Sequence, residues 1–431
     1  MNPRFKTLLI LLLIASLTLL GMVAFLLQKI RKFEPAVYYN VPPERSFIYS
    51  EGASILGIEN YLKDAIEKEM GKLKEEKKDF LYADLKEMKI ILYEEGEEVK
   101  SFPVIGKGAD WFLGETPLGV YHASYKTRLH FSSCCHVWMP YAIQFFGNYF
   151  LHGWPYDNQG RMVKTTYSGG CIRLSTPDAS KVFDFVEEEM PILVFDEKNI
   201  PSLLAIKPEY EEMSLPEIQA QFILVADLKT GEIILNKGGD SQFYGGPAAN
   251  NLILALTATE SIDLDKIIFV KQWMFEKVNE GIIVPERSYR AYDLLRPLLV
   301  YSSEEAAMVL TRFWTPEDFL RLMQEKTKSL DLENTFIADL TGNSQKNKTS
   351  LYDLARIFRY TKDYRKFLLN MTNELTGPSE DEKESKFAVF EMKYNGEERT
   401  IFIGLANSSK IEEDSEKTLE WLEKDFGLTK I

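Results

Sequence analysis

Apolar positions change period several times along the chain, and each change marks an element. Leu8 to Leu27 is a continuous apolar run broken only by Ser16, Thr18 and Gly21. It has about the length that crosses a bilayer as one helix. A cleaved secretory signal is the alternative, but the run is long for one. No small-x-small site follows it before Gln28, Lys29, Ile30, Arg31 and Lys32, so an uncleaved single-pass anchor over 1–32 is expected. Arg4 and Lys6 precede the run while Lys29, Arg31 and Lys32 follow it, so flanking charge does not decide the orientation.

A helical segment is expected over 33–79. From Ile58 to Lys78 the pattern is amphipathic, with Tyr61, Leu62, Ile66 and Leu73 on one side and Glu and Lys on the other. Such a helix either stands as a stalk or packs on the next domain. From Phe80 the period shortens to two. Met88–Tyr93 and Val99–Ile105 flank Glu95-Gly96-Glu97 and read as a hairpin, opening a β-rich domain over 80–199 whose last strand is Ile192–Phe195. Pro201, Pro208 and Pro216 interrupt an acidic stretch without periodicity, which marks a linker over 200–216. A second hairpin follows, Phe222–Asp227 and Glu232–Leu235 around Lys229-Thr230-Gly231. Helical stretches then run to Tyr364, ahead of two strands near Phe387 and Ile401. That order predicts an α+β domain with an antiparallel sheet over 217–431. No internal repeat or low-complexity tract interrupts it.

A chain of 431 residues with 45% hydrophobic and 13% aromatic residues supports two soluble domains and leaves little room for disorder. The net charge of -14, with no basic stripe to offset it, argues against nucleic-acid binding. Three cysteines make no disulfide framework. Cys134 and Cys135 are adjacent, with Cα atoms about 3.8 Å apart, below the roughly 4.4 to 6.8 Å that a relaxed disulfide spans. They read as packing residues.

All four histidines (His122, His130, His136 and His152) and all three cysteines fall between residues 122 and 171. Any chemistry belongs there. Phe150-Leu151-His152-Gly153 is followed, after a polar loop, by Ser168-Gly169-Gly170-Cys171-Ile172-Arg173. A thiol with a pKa of about 8.5 is only slightly ionised at neutral pH, so a nucleophilic Cys171 needs a base, and His152 is the candidate. Glycines beside it let the backbone turn sharply and bring amides toward a developing oxyanion. On these residues alone, a buried cysteine in a Gly-rich turn with an unrelated histidine is an equal reading. His122, His130 and His136 with Cys134 and Cys135 match no closed zinc spacing and lack carboxylate partners, so neither metal nor cofactor is expected.

The wider pattern resembles the L,D-transpeptidase catalytic domain, the YkuD-like family. The resemblance rests on Thr116-Pro117-Leu118-Gly119, on Met139-Pro140-Tyr141 leading through Phe145-Phe146-Gly147 to His152-Gly153, and on Ser168-x-Gly-Cys-Ile-Arg. Gly169 stands where the family often has His or Lys, which bears on substrate preference. The resemblance implies a mixed β-sandwich in which the Cys171 thiolate attacks a stem-peptide carbonyl, expels the terminal D-amino acid and leaves a thioester. His152 would take the thiol proton. The amide of Cys171, with Gly170 beside it, would form the oxyanion site, while Ser168 and Gly153 support it. Arg173 and Tyr141 are the substrate-binding candidates, with bracing of the turn the favoured role for Arg173.

The second domain resembles the penicillin-recognising D-alanyl-D-alanine carboxypeptidases. The likeness rests on Ala226-Asp227-x-Lys-Thr-Gly-Glu-Ile, the apolar helix Leu252–Glu260, Glu286-Arg-Ser-Tyr289 and Asn334-Thr-Phe. Where that family opens a helix with Ser-x-x-Lys, this chain has Pro247-Ala248-Ala249-Asn250-Asn251. Its Ser-x-Asn falls on Ser302-Ser303-Glu304 and its Lys-Thr-Gly on Leu375-Thr376-Gly377. Loss of nucleophile, base and carboxylate-binding lysine together implies a non-catalytic relative. The expectation is a membrane-anchored enzyme with both domains extracytoplasmic. It would cross-link peptidoglycan stem peptides, and its C-terminal domain would serve stem peptides or cell-wall assembly proteins. The alternatives are an L,D-carboxypeptidase and a non-catalytic envelope scaffold.

Overall fold

Tyr61–Glu75 forms the first helix among the described residues, α1, with Asp64 in its first turn and Lys72 and Lys74 in its last, each sign set favourably against the helix dipole. The computed structural model describes residues 61–108, 114–133, 135–165, 168–197, 206, 216–275, 281–379 and 382–431. The Leu8–Leu27 run and Cys134 lie outside them. Among the described residues no helix is long and apolar enough to cross a membrane. α1 buries Tyr61, Leu62, Ala65, Ile66 and Leu73. It is therefore a packed helix over this stretch and not a free stalk.

The chain continues through β1 (Phe80–Asp84), β2 (Lys89–Glu94), β3 (Glu97–Pro103), β4 (Gly119–His122), β5 (Tyr125–Ser132), β6 (Val137–Phe146), β7 (Tyr149–His152) and β8 (Ile172–Arg173). Helix α2 (Thr176–Phe185) and β9 (Pro191–Phe195) complete the N-terminal domain. The β2–β3 turn is tight, with positive φ at Glu95 (48°) and Gly96 (81°). One sheet has the order β3-β2-β1-β9-β4 and the other β5-β6-β7-β8. Each holds one parallel pair, β1/β9 and β7/β8, among antiparallel neighbours, so both are mixed. Their apolar faces share a core: Leu81, Ala83 and Ile90 of the first belong to the same buried cluster as Ile143, Phe145 and Leu151 of the second. α1 packs against β4 and β9.

The C-terminal domain runs β10 (Phe222–Asp227), β11 (Ile233–Lys237), α3 (Gly246–Ser261), β12 (Ile267–Val270), β13 (Arg287–Arg290), α4 (Ala291–Val300), α5 (Glu304–Thr311), α6 (Pro316–Ser329), α7 (Leu351–Tyr364), α8 (Lys366–Met371), β14 (Glu374–Pro378), β15 (Glu384–Tyr394), β16 (Glu397–Ser408), α9 (Ile411–Phe426) and β17 (Thr429–Lys430). Its main sheet, β11-β10-β16-β15-β14, is antiparallel throughout. The period-two pattern of β10 serves both faces. Ile223 and Val225 join Trp421, Leu422 and Phe426 of α9, while Leu224 and Ala226 join the cluster of α3 and α7. Ser303, Thr315 and Ser350 cap α5, α6 and α7 by accepting a backbone N–H in the first turn, each worth about 1 kcal/mol.

The two domains meet through close backbone approaches that only glycine permits. Gly119 has φ +140°, and a Cβ built on it falls 2.5 Å from Ser329 O at the end of α6. On Gly147, with φ +49°, a Cβ falls 2.8 Å from Glu260 O near the end of α3.

Candidate active site

Parallel pairing of β7 with β8 sets Leu151 opposite Ile172 and His152 opposite Arg173. The end of β7 and the residue before β8 therefore meet, and His152 and Cys171 line one cavity of about 270 Å³. Only 1% of His152 is exposed, whereas Cys171 is half-buried. Nδ1 of His152 lies 2.5 Å from Gly153 O. A carbonyl only accepts, so Nδ1 carries the proton and Nε2 is left as the basic nitrogen. Burial pushes the imidazole down to about 4, with Arg173 and His130 adding to the effect and the Gly153 bond opposing it. The resting histidine is therefore neutral at physiological pH.

The turn that carries Cys171 is held from several sides. Ser168 Oγ donates to Cys171 O at 2.5 Å and accepts from Gly170 N at 3.1 Å. The Gly170 amide, beside the Cys171 amide expected to form the oxyanion site, is directed to Ser168. Cys171 Sγ donates weakly to Asn148 O at 3.9 Å. Gly170 has φ +114°, and a Cβ on it would fall 2.0 Å from Tyr149 Cε1 and 3.1 Å from Glu115 O. Gly153 sits where a Cβ would meet Thr176 Cα at 3.1 Å, and its N–H donates to Pro140 O at 2.8 Å.

Arg173 lines the cavity, is 8% exposed, donates from Nη1 to Thr165 O at 2.7 Å and lies 5.7 Å from the Trp154 ring centroid. It braces the loop ahead of the Cys171 turn. Tyr141 does not line the cavity: with φ +51° its backbone departs from the strand pattern, and its ring packs edge-on against Phe183 of α2 at 5.8 Å. Met139, two residues earlier, lines the cavity instead. His122 ends β4 in the other sheet, and His130 stacks on Phe150 at 4.5 Å. Among the described residues no group of three or more His, Cys, Asp and Glu is disposed to hold a metal ion.

Sequence reasoning missed that the C-terminal domain supplies the opposite wall. Thr259 to Asp265, the end of α3 and the loop after it, face the same cavity. Asn148 Nδ2 donates to Ser261 O at 2.6 Å, so the residue that accepts from the thiol also bonds the second domain. Behind that wall is a charge cluster that is 0–1% exposed. Glu260 pairs with Lys326 at 2.8 Å and with Arg365 at 3.1 Å. Tyr360 OH donates to Glu260 at 2.9 Å and accepts from Leu118 N at 3.2 Å, which ties the cluster to the transpeptidase-like domain. One signal was available: Lys326 stands on the apolar stripe of α6 set by Phe319, Leu322 and Met323, an unusual position for a cation without a buried partner.

In the C-terminal domain Ala248 opens α3 beside β14, where a Cβ on Gly377 would meet Ala248 Cβ at 3.2 Å. Asn250 donates to Leu340 O at 2.7 Å, Asn251 donates to Leu298 O at 3.3 Å, and Ser303 Oγ accepts from Ala306 N. Of the positions that the resemblance aligns with a serine active site, Ala248 and Gly377 are brought together, while Ser303 is a helix cap and Asn251 a structural amide.

Residues 78–194 match the L,D-transpeptidase catalytic domain family, YkuD, and residues 209–402 match the D-alanyl-D-alanine carboxypeptidase family, peptidase S11. A curated relative, D-alanyl-D-alanine carboxypeptidase DacB2 of Mycobacterium tuberculosis, is 30% identical over 152 residues, 34% of this chain; the chain spans about half, 51%, of that relative. Among solved structures, a D-alanyl-D-alanine carboxypeptidase from M. tuberculosis H37Rv is similar over 50% of this chain and 95% of its own, with 18% identity and a TM-score of 0.44. Penicillin binding protein 6B from Escherichia coli is similar over 51% and 81%, with 19% identity and a TM-score of 0.42.

Proposed function

From a chain that carries an L,D-transpeptidase domain followed by a D-alanyl-D-alanine carboxypeptidase-family domain, we propose a cysteine-dependent L,D-transpeptidase acting on peptidoglycan stem peptides through Cys171 and His152. The observation that carries this reading is the β7/β8 register, which gives a neutral, buried, Nδ1-anchored imidazole and a thiol a common cavity. The Cys171 sulfur attacks the carbonyl of the penultimate stem residue as its proton passes to His152 Nε2. A C–S bond forms, the C–N bond to the terminal D-amino acid breaks, and His152 protonates the departing amine. An acceptor amine then attacks the thioester, gives its proton to His152 and releases the thiol. A resting imidazole that is neutral supports general-base activation over a preformed thiolate–imidazolium pair.

The same domain with water as acceptor would be an L,D-carboxypeptidase. The family of the C-terminal domain and the DacB2 likeness raise a D,D-carboxypeptidase reading as well. Ala248, Asn251 and Leu375 at the reacting positions disfavour that reading. In this proposal the second domain is a pseudoenzyme that serves stem peptides or cell-wall assembly proteins, and 1–32 anchors both domains on the extracytoplasmic side of a membrane. Purified full-length protein incubated with disaccharide-tetrapeptides should yield cross-linked dimers and one released D-amino acid per bond, identified by mass spectrometry. Near-wild-type products from folded Cys171→Ala protein would sink the assignment.

A further inference from the structure

We propose that Arg365, in the C-terminal domain, is a positioning residue for the Gly170–Cys171 turn, which makes that domain an integral part of the transpeptidase site. The proposal rests on the functional reading above and deepens it. Two groups bear on the turn from behind: the Tyr149 ring and Glu115 O, which a Cβ on Gly170 would meet at 2.0 and 3.1 Å. Arg365 holds Glu115: its Nη2 donates to Glu115 O at 3.1 Å and its Nη1 lies 3.5 Å from Glu115 Oε2.

The guanidinium is itself fixed. It is 1% exposed, Nη2 pairs with Glu260 Oε1 at 3.1 Å, and Nη1 donates to Tyr364 O at 2.6 Å. Glu260 is in turn held by Lys326 and Tyr360. A planar fork with several donors can engage two carbonyls and two carboxylates at once; an ammonium with three donors on a flexible stem cannot. Asn148, which accepts from the Cys171 thiol, is tied to the same domain through Ser261 O at 2.6 Å. Both backbone and sulfur of the nucleophile are therefore referenced to the second domain. Attack needs the sulfur and the oxyanion donors aligned on one carbonyl, and small misplacements there are costly to rate.

The test uses full-length protein carrying R365K, which keeps the charge of the cluster, and E115A, which leaves the Glu115 carbonyl in place but removes the carboxylate that lies 3.5 Å from Arg365 Nη1. Three readouts are taken: kcat and KM for release of the terminal D-amino acid from a tetrapeptide, alkylation of Cys171 by iodoacetamide, and amide hydrogen exchange over 168–173. Alkylation needs a reachable thiol but no oxyanion alignment. Positioning predicts kcat lowered by about tenfold or more, with KM and alkylation within about twofold of wild type and faster exchange in the turn. Wild-type kcat and exchange in both variants would overturn the proposal. So would alkylation falling in step with kcat in E115A, which would make the effect one on the thiol. If R365K does not fold, E115A decides. If wild-type protein releases no D-amino acid, the transpeptidase reading fails, and exchange over 168–173 alone decides whether Arg365 positions the turn.

Discussion

The Tyr149 ring occupies the space that a side chain on Gly170 would need: Cε1 lies 2.0 Å and Cδ1 2.6 Å from a Cβ built there. The glycine also has φ +114°, a region that L side chains rarely adopt. Gly170→Ala therefore meets steric overlap and backbone strain together, about 1–3 kcal/mol for the strain alone. We expect loss of turnover and a lower unfolding midpoint. Gly71→Ala is the contrast. Gly71 lies within α1 with nothing within 4 Å of its built Cβ, so helix propensity should raise stability by up to about 1 kcal/mol. Thermal unfolding with D-amino acid release checks both, and an active, stable Gly170→Ala protein would contradict the packing.

His152 makes acid sensitivity specific. Its folded pKa lies near 4 against an ordinary 6.5, so the unfolded chain takes up the proton from about pH 6.5 downward while the folded protein does not until about pH 4. Stability is therefore lost as pH falls through that window and levels off below it. The depression corresponds to on the order of 3 kcal/mol at 1.36 kcal/mol per pH unit. His152→Gln should flatten the stability profile between pH 6.5 and 4. The acid limb of wild-type kcat/KM should fall well below pH 6.5. Equal pH slopes for the two proteins, or an acid limb at pH 6.5, would refute a neutral buried imidazole.

What was legible in the sequence followed short-range physics. The Glu95-Gly96 and Thr230-Gly231 turns, the alternating strands around them and the linked His152 and Cys171 motifs are local signals, and β7/β8 pairing converts the last two into one site. Tyr141, a substrate-binding candidate on the resemblance, packs on Phe183 outside the cavity, at a backbone φ of +51° that no local sequence pattern announces. Arg365 and Glu260 were invisible for another reason. Each is an ordinary charged residue at a helix terminus, and 105 positions separate residues that the fold brings to 3.1 Å. No local pattern encodes such a pairing.

Glu260 is the hinge of the charge cluster, and the single substitutions should differ sharply. Glu260→Ala leaves Lys326 and Arg365 buried without their shared carboxylate, a change expected to cost about 3–5 kcal/mol. Lys326→Met keeps the Glu260–Arg365 pair, removes a cation that burial already disfavours and fills much of the same volume, so its cost should be far smaller. Urea unfolding of the two variants measures the difference. Equal destabilisation, or a larger loss for Lys326→Met, would mean that Lys326 and not Arg365 is the principal partner of Glu260.

Penicillins should not acylate the C-terminal domain. Acylation there requires a hydroxyl at the start of the buried helix, a base one turn on and a cation for the drug's carboxylate. Ala248 and Ala249 offer no hydroxyl, and the Asn251 amide is engaged with Leu298 O and is not basic. Leu375 is a buried strand residue at the third position. The two nearby serines are no substitute: Ser303 Oγ caps α5, and Ser302 precedes it with φ +49° outside any helix. A covalent β-lactam adduct should instead map to Cys171, most readily with carbapenems, as the transpeptidase resemblance implies. Intact-mass measurement followed by tryptic mapping decides it, with Cys171→Ala as the control. One adduct on wild-type protein and none on Cys171→Ala is the expected result; an adduct on Ser302, or on any residue after Gln221, would show that the second domain retains a nucleophile.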